Sequence, residues 1–293
     1  MINYKHQTNQ LKLPKVTKKT LNCRGKLVDL TIPAVMGILN ITPDSFFSGS
    51  RIATAQAVET ARKMLADGAT FLDIGGYSTR PGAAEVSAGE ESDRVVPVID
   101  AILKTFPDAL ISVDTFRASV ARQAIDAGAC LINDVSGGTL DPAMFETVAS
   151  LLNVPYVLMH MRGTPQTMQS LATYDHIVTE VIDELASQLA ALRTSGVHDV
   201  IIDPGFGFAK TPAQNFHLLN KLDAFDFFEE PVLVGISRKT TIWKTLGITA
   251  NEALNGTTVL NTVALLKGAS ILRVHDVREA VEAVKLTQHV TFF

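Results

Sequence analysis

The sequence predicts an α/β fold, a (β/α)8 TIM barrel with an N-terminal β-hairpin that closes the bottom of the barrel. From Ala34 onward, short runs rich in Val, Ile and Leu alternate with longer segments of helical period, which is the pattern of βα units around a parallel sheet. Eight such runs occur, each is followed by a helical segment, and none is followed by a hairpin signal. This pattern favours a closed barrel over an open doubly wound sheet.

The eight apolar runs are the predicted strands of the barrel. In chain order they span residues 34–40, 70–74, 110–114, 130–133, 155–160, 200–203, 232–237 and 271–275. No Pro/Ser-rich linker, low-complexity tract or charge block lies within this region, so nothing marks a domain boundary. We therefore predict a polar tail over residues 1–20 and a single barrel domain over residues 21–293.

The predicted helices carry apolar residues at spacings of three and four, so that each presents one apolar face. They span residues 55–66, 90–104, 118–127, 179–193, 241–247 and 251–266. Gly128 follows the third of them, as expected at the C-terminal end of a helix. Residues 21–30, with Arg24 and Gly25 at their centre, alternate apolar and polar residues and are the predicted hairpin.

Composition and charge exclude several classes of protein. The chain of 293 residues is 46% hydrophobic and 19% charged, which suits a globular body with a large core. Its net charge is -4, and its only run of basic residues is the short segment that contains Lys15, Lys18 and Lys19. Because binding to a phosphate backbone needs a basic surface, we expect no nucleic-acid partner. We find neither an apolar signal core nor a window of roughly 18 apolar residues, and therefore expect no membrane association and a cytoplasmic protein. Cys23 and Cys130 show no metal-binding spacing and are expected to be buried.

Almost every predicted strand ends in a residue that can titrate or form hydrogen bonds, although the body of the strand is apolar. These residues are Asn40, Asp73, Asp114, Asn133, Asp134, His160, Asp203, Ser237, Lys239, Arg273 and His275. Because the carboxyl ends of all strands in a barrel lie on one face, we expect these groups to converge on one site. For any one of these residues, capping of the following helix is about as good an explanation as a role in a common site. Capping does not explain the whole set.

The residue types in this set indicate a ligand of mixed character. Asp114, Asn133 and Asp203 can donate to and accept from the polar edge of a flat heterocycle, while apolar barrel residues cover its faces. Positive charge for an anionic group comes from Arg80, Lys239 and Arg273. We therefore expect a substrate with a polar heterocycle at one end and a phosphate or carboxylate at the other.

Two loops at the predicted site are rich in glycine and proline. The first follows the first strand over residues 40–49, and the second runs from residue 75 to 89. Both exceed the usual length of a βα loop, about 2 to 6 residues. We interpret them as mobile lids on a rigid scaffold.

Eight strings in the chain resemble motifs of the dihydropteroate synthase family, and they occur in the family's order. They are MGILNITPDSF from Met36, DIGG from Asp73 with STRPG from Ser78, SVDT from Ser112, IND from Ile132, LMHM from Leu158, DPGFGF from Asp203, GISRK from Gly235 and RVHDV from Arg273. A single string of this kind is weak support for the resemblance, whereas eight strings in the family's order are strong support. The resemblance implies a pterin-binding TIM barrel that joins a pterin pyrophosphate to p-aminobenzoate.

The resemblance also implies roles for individual residues in binding the pterin pyrophosphate. The pterin ring would be bound by Asp114, Asn133, Asp203 and Lys239, with Met159 packed beside it. The pyrophosphate would be held by Asn40, Arg273 and His275, and Asn40 would also bind the implied cofactor, Mg2+.

The p-aminobenzoate pocket, in which sulfonamides would compete, has its own implied residues. They are Thr79, Arg80, Pro81, Phe208 and Ser237, with Gly235 also counted among the substrate-binding residues. Asp44 and Asp73 would order the two loops and assist the reaction. The predicted catalytic residues are then Asp44, Asp73, Asp114, Lys239 and Arg273.

The implied reaction begins with departure of pyrophosphate from a methylene on the electron-rich ring, and the aniline nitrogen then attacks. Mg2+ with Arg273 and His275 would stabilise the leaving group, and nearby carboxylates would stabilise the cation. Closure of the two loops would keep water away. The chain departs from the family at Tyr77, where a Glu is expected, and we predict that a phenol can replace it in ordering the second loop.

Three further predictions come from the sequence. A homodimer is expected through the apolar helices over residues 241–247 and 251–266. His160 has two interpretations, functional and structural, which the residues alone do not separate. Two other functions stay open: a pterin-dependent methyltransferase domain and a non-catalytic pterin-binding protein. The strings at Ser78 and Ser237 favour the synthase over the methyltransferase, and the presence of Asp44, Arg80, Lys239 and Arg273 weighs against the non-catalytic protein.

Overall fold

A computed structural model describes residues 19–41, 51–78 and 85–291, and eight strands in these ranges form one parallel sheet. The strands are β3 (Ala34–Asn40), β4 (Phe71–Gly75), β5 (Leu110–Asp114), β6 (Leu131–Asp134), β7 (Tyr156–Met159), β8 (Val200–Asp203), β9 (Leu233–Val234) and β10 (Ile271–Val274). Their order is β8-β7-β6-β5-β4-β3-β10-β9. A parallel bridge between Ile202 and Val232 joins the two ends and closes the ring. The predicted barrel is therefore confirmed.

Two further strands, β1 (Thr20–Cys23) and β2 (Lys26–Asp29), form an antiparallel hairpin ahead of the barrel. The residues between them, Arg24 and Gly25, have φ angles of 54° and 93°. A two-residue hairpin turn of this hand needs positive φ at both positions, which glycine adopts without strain.

The hairpin covers the N-terminal mouth of the barrel, as predicted. Its apolar residues Leu21, Cys23, Val28 and Leu30 pack in one cluster with the side chains that line the lower interior of the barrel. Those side chains are Ala34, Met36, Phe71, Cys130, Leu131, Val157, Ile201, Leu233 and Ile271. Both cysteines are buried free thiols in this cluster, in agreement with the prediction.

Helices follow the barrel strands and form the outer layer. They are α1 (Arg51–Ala66), α2 (Ala88–Thr105), α3 (Ala118–Asp126), α4 (Met144–Ser150), α5 (Ile177–Thr194), α6 (Pro212–Asn220), α7 (Thr240–Leu246), α8 (Leu254–Leu266) and α9 (Val277–Thr291). Three short 3-10 helices span Met168–Leu171, Leu222–Phe227 and Ala250–Glu252. Local sequence sets several of the ends: at α6, Thr211 and Gln214 form a capping box and Pro212 occupies the first turn.

The main core lies between the strands and the helices. Fully buried strand residues such as Ile74 and Ile111 pack against helix residues such as Ile99 and Leu185 in a single cluster. Burying a side chain of this kind stabilises the fold by about 1.5 to 3 kcal/mol. This layer holds the strands rigidly, so that the groups at their carboxyl ends keep fixed positions.

Two predicted elements are at least three residues shorter than expected. Of the strand predicted over residues 232–237, Leu233–Val234 pairs with β10 and Val232 forms only the isolated bridge to Ile202, because the chain turns after Ile236 and Arg238 takes a positive φ of 52°. The helix predicted from residue 251 begins at Leu254, because Thr249 and Glu252 form a capping box around a separate 3-10 turn. Both differences lie where polar side chains redirect the backbone.

Two other predictions concern membrane association and the division of the chain into a tail and a single domain. None of the described helices combines the length and the hydropathy that crossing a bilayer requires. Residues 1–18 lie outside the described part of the chain, so the division into a tail over residues 1–20 and a single domain stays a prediction.

Candidate active site

An ion-pair network links three strands at the carboxyl-terminal face of the barrel. Arg273 of β10 donates from Nε to Oδ2 of Asp73 at 2.6 Å and from Nη2 to Oδ2 of Asp114 at 2.5 Å. Asp73 lies in β4 and Asp114 ends β5. Since β10, β3, β4 and β5 are consecutive neighbours in the ring, their side chains reach the same interior space. The structure thus brings together three of the predicted catalytic residues.

Asp73 is fully buried and supports its neighbours. Its Oδ1 accepts a hydrogen bond from Ser112 Oγ at 2.5 Å, and its Oδ2 accepts from Asn133 Nδ2 at 3.0 Å as well as from Arg273. A buried carboxylate needs such donors and a positive partner to offset the loss of water. Asp73 therefore orients the amide of Asn133 and the guanidinium of Arg273 at once.

Burial shifts the proton affinity of Asp114. Loss of solvent raises the pKa of Asp114 to about 7, an effect that Arg273 opposes and that Asp73 reinforces. The same burial would favour a neutral Arg273, but the attraction of Asp73 and Asp114 is larger and the pKa of Arg273 is raised. Asp114 can therefore accept hydrogen bonds as a carboxylate or donate one as an acid near neutral pH.

Lys239 and Asp203 are two further buried ionisable groups of the site, and each influences the proton affinity of the other. Burial lowers the pKa of Lys239 to about 8, whereas the nearby charge of Asp203 opposes that shift. Burial raises the pKa of Asp203 in turn, and Lys239 opposes it. Lys239 Nζ donates to the carbonyl oxygen of Phe206 and lies 4.7 Å from the centre of the Phe208 ring. The lysine is thus held by a carbonyl group and an aromatic face, and the charge of Asp203 favours its protonated form.

Ser237 fixes the ring of His275. The backbone amide of His275 donates to Ser237 Oγ at 3.2 Å, and the same hydroxyl lies 3.0 Å from His275 Nδ1. The hydroxyl group therefore bonds both the backbone and the ring of His275, and when it donates to Nδ1 a neutral ring carries its proton on Nε2. A bidentate pair between Arg238 and Asp276, at 2.8 and 2.7 Å, ties the same two loops together.

A gap between two oxygen atoms lies above Gly75. A β-carbon built onto Gly75 would lie 3.5 Å from Oδ1 of Asn40 and 3.6 Å from Oδ2 of Asp114. Glycine at this position therefore leaves open the space that an amide oxygen and a carboxylate oxygen share. Such hard oxygen donors suit Mg2+, which commonly takes one or two protein oxygens together with water and phosphate oxygens.

Apolar side chains line one side of the site. Met159 and Ala209 belong to a buried cluster against which Phe208 packs. Gly235 contributes no side chain: a β-carbon there would lie 3.9 Å from Arg273 Cδ and from Lys239 Nζ. The site therefore combines a polar ring with an apolar wall, as expected for binding a flat heterocycle.

Two predicted members of the converging set bind elsewhere. Asp134 accepts hydrogen bonds from Tyr156 Oη at 2.7 Å, from Ser136 and from Gly138 N at 2.9 Å, because adjacent strand residues point to opposite faces and Asn133 occupies the inner one. His160 binds Glu184 and Lys210 instead of the ring around Arg273. The prediction that these two residues join the site is wrong, and His160 takes the structural interpretation.

Four predicted site residues lie outside the described part of the chain. They are Asp44, Thr79, Arg80 and Pro81. The second loop is described at residues 75–78 and again from residue 85. Tyr77 accepts a hydrogen bond from Gln166 Nε2 at 3.0 Å and packs edge-on against Phe116 with ring centres 5.2 Å apart. The phenol thus anchors the start of the loop, and its effect on turnover stays a prediction.

One buried charged residue was not predicted from the sequence: Lys210, which is 3% exposed and contacts His160, Gly205 and Phe208. A lysine in a glycine-rich loop is ordinarily a surface residue, so its position carried no signal of burial. The string DPGFGF just before Lys210 could have indicated its burial, because glycines in such a turn permit a close approach of backbone and side chain.

Comparison with known proteins identifies the family of the chain. The model of the family described as pterin binding enzyme matches residues 36–275. The dihydropteroate synthase of Escherichia coli strain K12 is 43% identical over 271 residues, which are 92% of this chain and 95% of that protein.

Solved structures give the same result. A Yersinia pestis dihydropteroate synthase in complex with a sulfonamide drug matches with a TM-score of 0.88 and 41% identity, covering 94% of this chain and 100% of that one. A Xanthomonas albilineans dihydropteroate synthase in complex with 7,8-dihydropteroate matches with a TM-score of 0.84 and 37% identity, covering 94% of this chain and 99% of that one.

The closed barrel and its ring of carboxylates, amides and cations define an enzyme of the pterin-binding class. Within that class the chain belongs to the dihydropteroate synthase family, whose members are transferases. The resemblance drawn from the eight sequence strings is confirmed.

Proposed function

We propose that this chain condenses 6-hydroxymethyl-7,8-dihydropterin pyrophosphate with p-aminobenzoate, giving 7,8-dihydropteroate and pyrophosphate in folate biosynthesis. The network of Arg273 with Asp73 and Asp114 carries the proposal, because it sets a cation for a leaving group beside carboxyl groups for a heterocycle. The family relationship supports the same reaction.

The polar edge of the pterin is recognised by Asp114, Asn133, Asp203 and Lys239 in this proposal. Burial raises the pKa of Asp114 to about 7, so its carboxyl group can accept a hydrogen bond from the ring or donate one to it. Burial also raises the pKa of Asp203, whose carboxylate accepts from the ring in this proposal. Met159, which is buried at the end of β7, packs beside the ring. A flat ligand is then fixed both by its edge and by its face.

The leaving pyrophosphate is bound by Arg273, His275 and Asn40. Both hydrogen bonds from Arg273 to carboxylates use Nε and Nη2, so Nη1 is the nitrogen that this proposal directs to the anion. Ser237 holds His275 Nδ1, which sets Nε2–H to donate outward. These donors are held in place before the substrate binds and need no rearrangement when charge develops on the leaving oxygen.

A magnesium ion fits this arrangement, with the amide oxygen of Asn40 as its protein ligand. The open space that Gly75 leaves between Asn40 and Asp114 supports the assignment. When bound, the ion would neutralise charge on the pyrophosphate. No group of three or more His, Cys, Asp or Glu side chains suited to a metal occurs among the described residues. An ion held largely by substrate and water needs none.

The second substrate is placed beside the methylene carbon. Phe208 and Ser237, together with Thr79, Arg80 and Pro81 of the second loop, form the p-aminobenzoate pocket in this proposal. The bond from the methylene carbon to the pyrophosphate oxygen breaks, and its electron pair leaves with the oxygen. The aniline nitrogen then donates its lone pair to the carbon and loses a proton. Asp114 and Asp203, with Asp44 of the first loop, stabilise the intervening cation.

The chain is proposed to act as a homodimer in the cytoplasm. Apolar side chains are exposed on the last helices, with Leu246 of α7 55% exposed and Val259 of α8 53% exposed. Single exposed apolar residues are common, but several on adjoining helices favour an interface. Light scattering at micromolar concentration tests this directly, and a monomeric mass would contradict it.

Release of pyrophosphate tests the proposed reaction. Purified protein is incubated with Mg2+ and the pterin pyrophosphate, with and without p-aminobenzoate. We expect release that depends on p-aminobenzoate, formation of 7,8-dihydropteroate, and inhibition by sulfonamides that added p-aminobenzoate relieves. Binding of the pterin without turnover would contradict the proposal.

A further inference from the structure

We propose that Lys210 is a positioning residue: its ammonium group holds the turn over residues 203–209 in the conformation that places Lys239 and Phe208 for substrate binding. This inference rests on the proposed function, which supplies the two substrates. Lys210 itself lies behind the turn, and its contacts are to the protein.

Burial lowers the pKa of Lys210 to about 7, a shift that the charge of Asp203 opposes, and the contacts of its Nζ match the hydrogen-bonding capacity of the charged form. Its Nζ lies 3.0 Å from the carbonyl oxygen of Gly205, 3.0 Å from that of Phe208 and 2.9 Å from Nδ1 of His160. An ammonium group has three N–H donors and no acceptor, so these three acceptors use all of its donors. A lysine that is 3% exposed needs such complete satisfaction.

His160 connects Lys210 to helix α5. Burial and the charge of Lys210 lower the pKa of His160 to about 4, so the ring is neutral at neutral pH. A neutral ring that accepts at Nδ1 carries its proton on Nε2, which lies 3.0 Å from Oε2 of Glu184. Arg162 also donates to Glu184, from Nε to Oε1 at 3.0 Å. The turn is therefore anchored through His160 to a helix of the outer layer.

The turn needs this support because its backbone conformation is uncommon. Gly205, Gly207 and Ala209 have φ angles of 71°, 83° and 48°. Positive φ is costly for a residue with a side chain, such as Ala209. Tyr174 Oη donates to the carbonyl oxygen of Ala209 at 3.0 Å, and Asn215 Oδ1 accepts from Gly207 N at 2.8 Å. Lys210 binds the two carbonyl groups that face inward.

The opposite side of the same turn forms part of the candidate active site. The carbonyl oxygen of Phe206 accepts a hydrogen bond from Lys239, and the ring of Phe208 lies 4.7 Å from Lys239 Nζ. Gly205 N donates to Oδ1 of Asp203 at 2.7 Å. A shift of this turn would therefore move an aromatic wall, a lysine and a carboxylate together. Small misplacements of binding groups have large kinetic effects.

Replacement of Lys210 by a side chain of similar length without charge tests the proposal. In the full-length protein, Lys210→Met leaves the carbonyl group of Phe208 without its side-chain donor, and the carbonyl group of Gly205 keeps only the backbone amide of Phe208. We expect the KM for p-aminobenzoate to rise on the order of tenfold, with a smaller fall in kcat. Lys221→Met is the matched control, because Lys221 is exposed at the end of α6, and it should leave both constants unchanged.

A purely structural role would give a different result. If Lys210→Met lowers the thermal midpoint but leaves the KM for p-aminobenzoate unchanged, the positioning role is wrong. If Lys210→Met fails to fold, the variant Tyr174→Phe tests the proposal instead, because it removes one hydrogen-bond donor to the same turn. We expect it to raise the same KM to a smaller extent, and an unchanged KM would overturn the proposal.

Nitrogen-15 spectra of the imidazole groups provide a readout that does not require turnover. In the wild-type protein we expect His160 to carry its proton on Nε2, and a proton on Nδ1 would contradict the network. If the wild-type protein releases no pyrophosphate, the proposed function fails on its own. Calorimetric binding of the pterin pyrophosphate to wild type and Lys210→Met would then still decide the role of Lys210: we expect weaker binding to the variant, and equal affinity would overturn it.

Discussion

Arg273 donates a hydrogen bond from Nε to Oδ2 of Asp73 at 2.6 Å, although the two residues are 200 positions apart in the chain. The contact exists because β10 and β4 both neighbour β3 in the closed ring. One cation is thereby held by two carboxyl groups, those of Asp73 and Asp114, at the face where the strands end.

Loss of this cation should disable the chemistry. Arg273→Met is expected to lower kcat by about 100-fold or more, because it removes a preorganised charge from the leaving group. It should also raise the pKa of Asp114 further, since Arg273 lowers that pKa. Steady-state pyrophosphate release measures the first effect. Arg278→Met, at an exposed position of α9, serves as the control, and equal kcat values for the two variants would contradict the role.

Glycine at position 75 should matter for the metal and not for the fold. The nearest atoms to a β-carbon at Gly75 would lie at 3.4 Å or more, which is ordinary contact, so Gly75→Ala should fold normally. The added methyl group would nonetheless lie between Asn40 and Asp114. We expect a higher Mg2+ concentration for half-maximal activity, and chelation of Mg2+ should abolish activity of the wild type. An unchanged Mg2+ dependence would show that this space holds no ion.

Acid should destabilise the protein partly through His160. Its pKa is lowered from 6.5 to about 4 by burial and by Lys210, so the unfolded chain binds more protons than the folded chain between these values. The free energy of unfolding should therefore fall as pH drops from about 6.5 to 4, on the order of 3 kcal/mol for this group.

His160→Gln removes this titration while keeping a donor and an acceptor. Urea unfolding at pH 7 and pH 5 should show a smaller loss of stability in the variant than in the wild type. Glu184 titrates lower, because His160 and Arg162 hold its pKa at about 2, so it contributes little in this window. Equal losses in both proteins would show that His160 is not held neutral.

The hairpin should contribute to stability through its buried side. Leu21 is fully buried in the cluster at the N-terminal mouth, whereas Leu27 of the same hairpin is 75% exposed. Leu21→Ala is expected to reduce the free energy of unfolding by about 2 to 5 kcal/mol. Leu27→Ala should change it by less than about 0.5 kcal/mol. Chemical denaturation of both variants measures the difference, and similar values would mean that the hairpin does not plug the barrel.

Much of the fold follows from local patterns in the chain. The strands at residues 34–40, 110–114 and 200–203 have the bounds that the sequence predicts. An apolar run that ends in an Asp or Asn is recognisable without any tertiary contact. The least accurate strand prediction is that of residues 232–237, where the chain turns after Ile236 and Arg238 takes a positive φ of 52°.

Several features of the site could not be predicted from the sequence. Asn133 and Asp134 are adjacent and equally polar, yet one faces the interior with Asp73 and the other binds Tyr156 in the wall. The burial of Lys210 depends on His160, which lies 50 positions away. The predicted roles of Asp44, Thr79, Arg80 and Pro81 stay predictions, because these residues lie outside the described part of the chain.

The sequence by itself determined the barrel class, the order of its strands and the family, because periodicity and short motifs depend on residues close together in the chain. Only the tertiary structure decided that Arg273 joins Asp73 to Asp114, that Lys210 is buried behind a turn, and that His160 supports it. These relationships arise when the ring closes and brings distant strand ends within hydrogen-bonding distance, where the loss of water makes each charge depend on its partner.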